Sequence, residues 1–599
     1  MTSVMIIDIK HKSKEALLPE WNLSDLYKGT TDPAINRDLI KAEELARRFS
    51  TRYKGKLTKL NGNELGVAIK SFESFSEVLS RITSFSQLKF SANMEDVEIS
   101  KFRQNINERV TLITTLMLFF ELEINKIDSD NLSEMLKLPE VGYYKSWVDA
   151  VRVHKPYQLS DDLEKIILEK SIVGCTAWVR LFDETLTGIQ FVVNYKKLSS
   201  SEVLTRMSDK NPSIRRDAAK AFGKGLKENI RLFSLIINTL AKDKEIDDRW
   251  RGLPHPVSSR NLQNQVEDEV VYALRDAVRK SYPTLSHRYY KLKAQWLGLD
   301  TLEYWDRNAP LPEADEKYVL WDEAKNIVLS AYREFDSRLG QIATEFFDNP
   351  WIDAKPRQGK ESGAFSHPTV PSVHPYILMN YHGKFRDVMT LAHELGHGIH
   401  QVLAADQGYL LADTPLTLAE TASVFGEMLT FQSLIRATKG EISRKVLLAS
   451  KVEDMLNTVV RQIAFYEFEE KVHEERRLGE IDPERLGDIW MSVQKESLGP
   501  AFQFDNEYRY FWAYIPHFLH TPFYVYSYAF GDCLVNSLYD LFSKGHPKFQ
   551  QKYIQMLQAG GSLRYNELLT PFELDASDPS FWKRGLDVIS GLVDQLEEC

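Results

Sequence analysis

Two histidines four residues apart with a glutamate between them, His393, Glu394 and His397, stand in the run His393-Glu394-Leu395-Gly396-His397. On a helix, positions i and i+4 lie one turn apart on the same face, so both imidazoles can reach one metal ion. Glu394, rotated by about 100°, can reach a water held on that ion. Zinc suits such donors, because it takes neutral ring nitrogens at about 2.0–2.1 Å and keeps an open position for a water acidified enough to attack. Hydrolysis by metal-activated water, with a carboxylate as general base, is the chemistry this pattern serves. Val388, Met389, Leu391, Ala392 and Leu395 make the segment apolar, a setting in which an imidazole or a carboxylate needs a partner.

A third ligand must come from elsewhere. His400 shares the face of His393 but stands about 10.5 Å along the axis, at about 1.5 Å per residue, too far for one ion to take both. The extended pattern that continues with glycine and then histidine fails as well, since His400 and Leu403 occupy those positions. Glu420 and Glu427 remain. They lie on a second helical pattern, Leu418 to Ile435, after a turn region at Gly408 and Pro415, so the chain can double back on the first helix. The two carboxylates share a face about 10.5 Å apart, so one is a ligand and the other orients an imidazole. Spacing favours Glu420 as the ligand and leaves Glu427 open.

The elements that position these groups read mostly as helix. Glu64 to Ile82, Asp161 to Ile172, Ile214 to Leu240, Val266 to Leu292, Glu323 to Phe346 and Glu441 to Arg476 carry apolar residues at intervals of three and four. Gln190 to Tyr195 (QFVVNY) and Tyr376 to Tyr381 (YILMNY) read as strands of a small sheet. The apolar run Val110 to Phe120 is too short to span a bilayer and reads as a buried helix. The basic stretch Arg47 to Lys59 reads as a solvated helix face, and Ala559 to Ser562 as a turn. No fixed repeat is present.

Composition narrows the class. At 599 residues, with 43% hydrophobic and 27% charged side chains, the chain can bury large cores. Lys+Arg 75 against Asp+Glu 85 gives a net charge of −10, which speaks against nucleic acid and anionic membrane as partners. Cys175, Cys533 and Cys599 fit neither a disulfide framework nor a metal site, and Met1 to Lys10 lacks the pattern of a secretory leader. A soluble, cytoplasmic protein is expected.

The run TLAHELGHGIH (Thr390 to His400), LAETASVFGEML (Leu418 to Leu429), PYILMNY (Pro375 to Tyr381) and IPHFLHTPFYVYSYAFG (Ile515 to Gly531) together resemble the M3 metallopeptidases, in the oligoendopeptidase F branch. RRDAAKAF (Arg215 to Phe222) and the Arg251-Gly252 turn resemble them too. The resemblance implies a mainly α fold: a large helical peptidase with a deep substrate channel and a small β-sheet beside the zinc helix. Residues 1–200 would form a helical wall of the channel, and residues 201–599 the catalytic region. It implies an endopeptidase cutting internal bonds of oligopeptides, with one Zn2+ per chain on His393, His397 and Glu420, and Glu394 as general base. Groups that stabilise the carbonyl oxygen map onto His517 and Tyr528, with Tyr524 and Tyr526 as neighbours. The YILMNY strand is expected to hold the peptide by strand addition. A helical zinc carboxypeptidase with the same motif, and an inactive peptide-binding scaffold, are the alternatives.

Overall fold

Helical periodicity runs through most of the chain, but the computed structural model shows that helices stop where a local cap or proline outweighs it. The structure describes residues 18–171, 173–312 and 318–599; the expectation of no secretory leader at Met1 to Lys10 lies outside them. Ile214 to Leu240 divides into Pro212–Glu228 and Ile230–Arg251 at Asn229, and Val266 to Leu292 into Asp268–Ser281 and Ser286–Trp296 at Pro283. Glu323 to Phe346 divides at Asp336, whose carboxylate accepts the main-chain N–H groups of Arg338 and Leu339 and so starts Ser337–Asp348. Glu441 to Arg476 divides into Glu441–Thr458 and Val460–Leu478. An apolar period of 3.6 persists through such breaks because successive helices bury faces in the same core.

The described residues fall into two compact units, each assembled from separated stretches of chain. The first takes those within Met1–Lys155, Glu316–Ala437 and Gly545–Glu573; the second takes those within Pro156–Asp315, Thr438–Lys544 and Leu574–Cys599. A cut at residue 200 therefore falls inside the second unit.

In the first unit, helices Pro33–Tyr53 and Gly62–Ala92 pack around an aromatic cluster in which Phe49 meets Phe75 and Phe120 with ring centroids 5.2 and 5.0 Å apart. Asn61 and Glu64 form a capping box that starts the longer helix. The run Val110 to Phe120 is not one buried helix, as its apolarity suggests. Helix Val97–Thr115 ends inside it and Phe119–Lys126 begins, while Leu112 and Leu118 face solvent at 71% and 49% exposure. Arg47 and Arg48 pair with Glu43 and Glu44 on an exposed face, and Gly560, at φ +53°, turns the chain at Ala559 to Ser562.

The same unit holds a three-stranded sheet of β1 (Ile352–Asp353), β2 (Phe365–His367) and β3 (Tyr376–Leu378), in the order β1-β3-β2. β3 pairs in parallel with β1, Ile377 opposite Ile352, and antiparallel with β2, Ile377 opposite Ser366. All three residues of β3 are buried. Strand addition to β3 is thereby overturned, since both of its edges are already paired; the outer strand beside it is β2. Three helices complete the surroundings of the motif: α1 (Phe385–Ala404), α2 (Leu416–Ala437) and α3 (Phe549–Gln558).

The second unit holds a hairpin after its first two helices, Asp161–Ser171 and Cys175–Gly188. Phe191–Val193 pairs with Lys196–Leu198 across Asn194 and Tyr195, both at positive φ, the geometry that matches strand twist in a two-residue turn. QFVVNY is thus one strand and its turn. Arg215 and Asp306, 3% and 5% exposed, form an ion pair at 2.6 Å that ties helix Pro212–Glu228 to the turn Tyr304–Asp306. No helix among the described residues is long and apolar enough to cross a membrane.

Candidate metal centre

Helix α1 buries Val388, Leu391, Ala392, Leu395 and Ile399, and turns His393 and His397 to one side. Helix α2 lies against it unusually closely, and glycines are the reason. A Cβ on Gly396 would stand 2.5 Å from the Ala422 carbonyl oxygen and 2.6 Å from Ser423 Cα. On Gly426 of α2 it would collide with the Tyr332 hydroxyl, which donates to the Ala392 carbonyl at 2.9 Å. Glycine inside a helix costs about 1 kcal/mol relative to alanine, so its presence at both contact points marks a requirement for close approach. Tyr553 of α3 fastens α2 from behind, donating to the Thr421 carbonyl at 2.9 Å.

That approach brings Glu420 to the two imidazoles. His393 Nε2 and His397 Nε2 are 3.2 Å apart, and Glu420 Oε2 lies 3.4 and 3.5 Å from them. Donor atoms about 2.05 Å from a tetrahedral ion are separated by about 3.3 Å, so these three form one face of a zinc-sized tetrahedron. They are also the cluster of metal-ligating side chains found among the described residues. Ser423 Oγ donates to Glu420 Oε2 at 2.6 Å, and Glu427 Oε1 receives His393 Nδ1 at 2.6 Å, which leaves Nε2 with its lone pair facing Glu420. His400 is buried and lies outside the cluster.

The electrostatics call for a cation. Burial opposes charge on His393, yet the hydrogen bond to Glu427 and the charges of Glu427, Glu420 and Glu394 overcome it and raise the imidazole to about 9. Burial holds His397 down at about 4. Glu394 is 6% exposed; burial pushes its carboxyl up to about 7, with Glu420 and Glu427 adding and His393 and the Ser366 N–H opposing. Three carboxylates around two imidazoles hold a proton there when no other positive charge is present; a divalent ion satisfies the same need.

His517, Tyr524 and Tyr528 lie together in the second unit. His517 opens the short helix His517–His520, and Tyr528 sits in the first turn of Tyr526–Ser543. His517 Nε2 is 3.3 Å from Tyr528 Oη, and the Tyr524 and Tyr528 rings are 5.3 Å apart. Between them Phe523 takes φ +61°, with its N–H donated to buried Glu469 at 2.8 Å. Tyr526 belongs to the core instead, its hydroxyl accepting from Asn264 Nδ2 at 2.7 Å, and His520 turns to Asp183 at 2.8 Å. Sequence reasoning missed Gly396, Gly426, Tyr332 and Ser423. A glycine between two histidines on an otherwise strong helix was the available signal for the first.

The model of peptidase family M3 matches residues 205–588, and that of oligopeptidase F matches residues 123–191. The chain is 26% identical to oligopeptidase PepF of Bacillus subtilis over 96% of its length and 87% of that protein's. It is also 26% identical to an oligoendopeptidase F homologue of Lactococcus lactis subsp. lactis, over 96% of each. Among solved structures, a putative peptidase from Chlamydophila abortus superposes with a TM-score of 0.84 at 21% identity, covering 97% of this chain and 98% of that one. Oligoendopeptidase F from Enterococcus faecium gives 0.71 at 20% identity, covering 94% and 98%.

Proposed function

The chain belongs to peptidase family M3, and on that premise we propose that it is a zinc-dependent oligoendopeptidase with one Zn2+ held by His393, His397 and Glu420. The observation that carries the reading is the convergence of two Nε2 atoms and one carboxylate oxygen at tetrahedral spacing, beside a buried carboxyl. Zinc bound there supplies Lewis acidity toward a scissile carbonyl and an attacking water. Glu427 fixes the His393 tautomer, and Ser423 fixes the free rotation of the Glu420 carboxylate. Glu394, buried beside the three ligands, takes a proton from water and returns it to the leaving amine.

Tyr528 and His517, with Tyr524 beside them, are assigned to the carbonyl oxygen as it gains charge; a single aimed donor of this kind is worth about 3 kcal/mol. Oligopeptides are the substrates in this reading, and a cytoplasmic setting goes with three cysteines that form no disulfide. The test is mass spectrometry of products from a peptide blocked at both ends. Internal cuts that vanish on zinc removal are expected. Inertness relieved only by freeing the C-terminus would instead indicate a carboxypeptidase.

A further inference from the structure

Cations buried in the second unit are generally matched by carboxylates. Arg215 has Asp306, Arg251 has Glu164 and Asp247, Arg275 has Glu470, and Lys293 has Glu453. Two are not. Arg461, on helix Val460–Leu478, donates Nη2 to Tyr514 Oη at 3.1 Å and lies over the Phe465 ring, 4.9 Å from its centroid. Arg307, just past the turn Tyr304–Asp306, donates Nη2 to Asn457 Oδ1 at 2.8 Å. The Nε of each is buried with no hydrogen-bond partner. Among the described residues neither guanidinium has a carboxylate in ion-pair range.

The two cations belong to one place. Arg307 is held by Asn457, four residues before Arg461, and Arg461 is held by Tyr514, three residues before His517; burial first, then the charges of His520 and Arg461, hold the His517 imidazole below its usual range. Arg307, Asn457, Arg461, Tyr514 and His517 are all only partly buried, so the donors border accessible space. A guanidinium kept partly dry without an anion loses hydration that a bidentate carboxylate restores.

We propose that Arg461, backed by Arg307, forms a carboxylate subsite that grips the oligopeptide, through its own C-terminus or through an acidic side chain. The inference rests on the peptidase reading for its ligand, because His517 beside the subsite is assigned there to the substrate. Hydrogen bonds to charged groups are strong enough for a preference of about tenfold or more.

The test uses three peptides of one length: a free acid without acidic residues, its C-terminal amide, and that amide with Glu in place of Gln. Their dissociation constants are measured on full-length Glu394→Gln protein, and their kcat/KM on the wild-type holoenzyme. One carboxylate peptide should bind about tenfold more tightly than the plain amide, and which one identifies the source. Arg461→Gln should bring that ratio to about one, mainly through KM, and Arg461→Lys should keep part of it. Equal binding of all three peptides by protein with native Arg461 overturns the subsite whether or not any variant folds. So does a full preference retained in Arg461→Gln. Cleavage with no preference leaves the peptidase reading standing; preference in binding with no cleavage anywhere leaves the subsite and removes that reading.

Discussion

The candidate metal centre of the first unit and the Arg461–His517 cluster proposed in the second are both groups of partly buried polar side chains, built from opposite inventories. In the first, lone pairs converge: two imidazole nitrogens and a carboxylate oxygen lie within 3.5 Å of one another. In the second, N–H and O–H donors gather around two guanidinium groups without a carboxylate in range. Acceptors crowded together are tolerable around a cation, and donors crowded together around an anion. Burial alone therefore says that a cluster has a purpose, while the sign of its unmet valence says what kind of ligand would complete it.

Each region can be broken separately. The largest effect should follow removal of the cation: chelation abolishes turnover, and added zinc restores it, as followed with a quenched fluorescent peptide. Glu394→Gln comes next. It leaves the three ligands in place, so metal content by elemental analysis should match wild type while kcat falls by about 10²–10⁴-fold. In the second unit, Tyr528→Phe removes a donor and keeps the ring; kcat should fall by about 10²-fold with zinc affinity unchanged, as for Glu394→Gln and unlike a lesion around the metal-ligating side chains. Glu427→Gln should weaken zinc by about 10–100-fold in competition with a chromogenic chelator, since His393 loses its anionic anchor.

The smallest effect is a pH dependence of stability. Glu469 is 2% exposed, and burial raises its carboxyl to about 8 against the opposing Phe523 N–H, Arg260 and Lys244. A group raised in the folded state contributes fully below its unfolded value and loses that contribution as pH rises through its folded value. Stability from this group should therefore decline between about pH 5 and about pH 8. Urea unfolding of Glu469→Gln should show a shallower decline than wild type, and an unchanged slope would remove Glu469 as its source.

Much of the first region was legible because its information is local. His393 and His397 share a helix face by counting alone, and a second helix with Glu420 and Glu427 had to return to them. Counting favoured Glu420 over Glu427 without deciding between them; that depends on how far α2 slides along α1, which Gly396 and Gly426 govern. The second region resists counting. His517 and Tyr528 sit on different helices joined through Phe523 in a left-handed conformation held by Glu469, from a distant stretch of sequence. Helix ends were missed for a related reason: Asp336 as a cap and Pro283 as a stop are single-residue events inside long periodic runs. Strand addition to YILMNY is ruled out because a strongly apolar strand is what the centre of a sheet requires, and both edges of β3 are paired.

The interleaving of the two units has a consequence for how the protein is made. The first unit takes its last segment, Gly545–Glu573, from close to the end of the chain, and that segment supplies the Tyr553 hydroxyl that holds α2. During synthesis the histidines and Glu420 leave the ribosome well before the helix that braces them. A nascent chain thus carries His393, His397 and Glu420 long before it carries the helix that braces their cluster, and a truncation in the last tenth of the sequence should cost peptidase activity without touching any of the three.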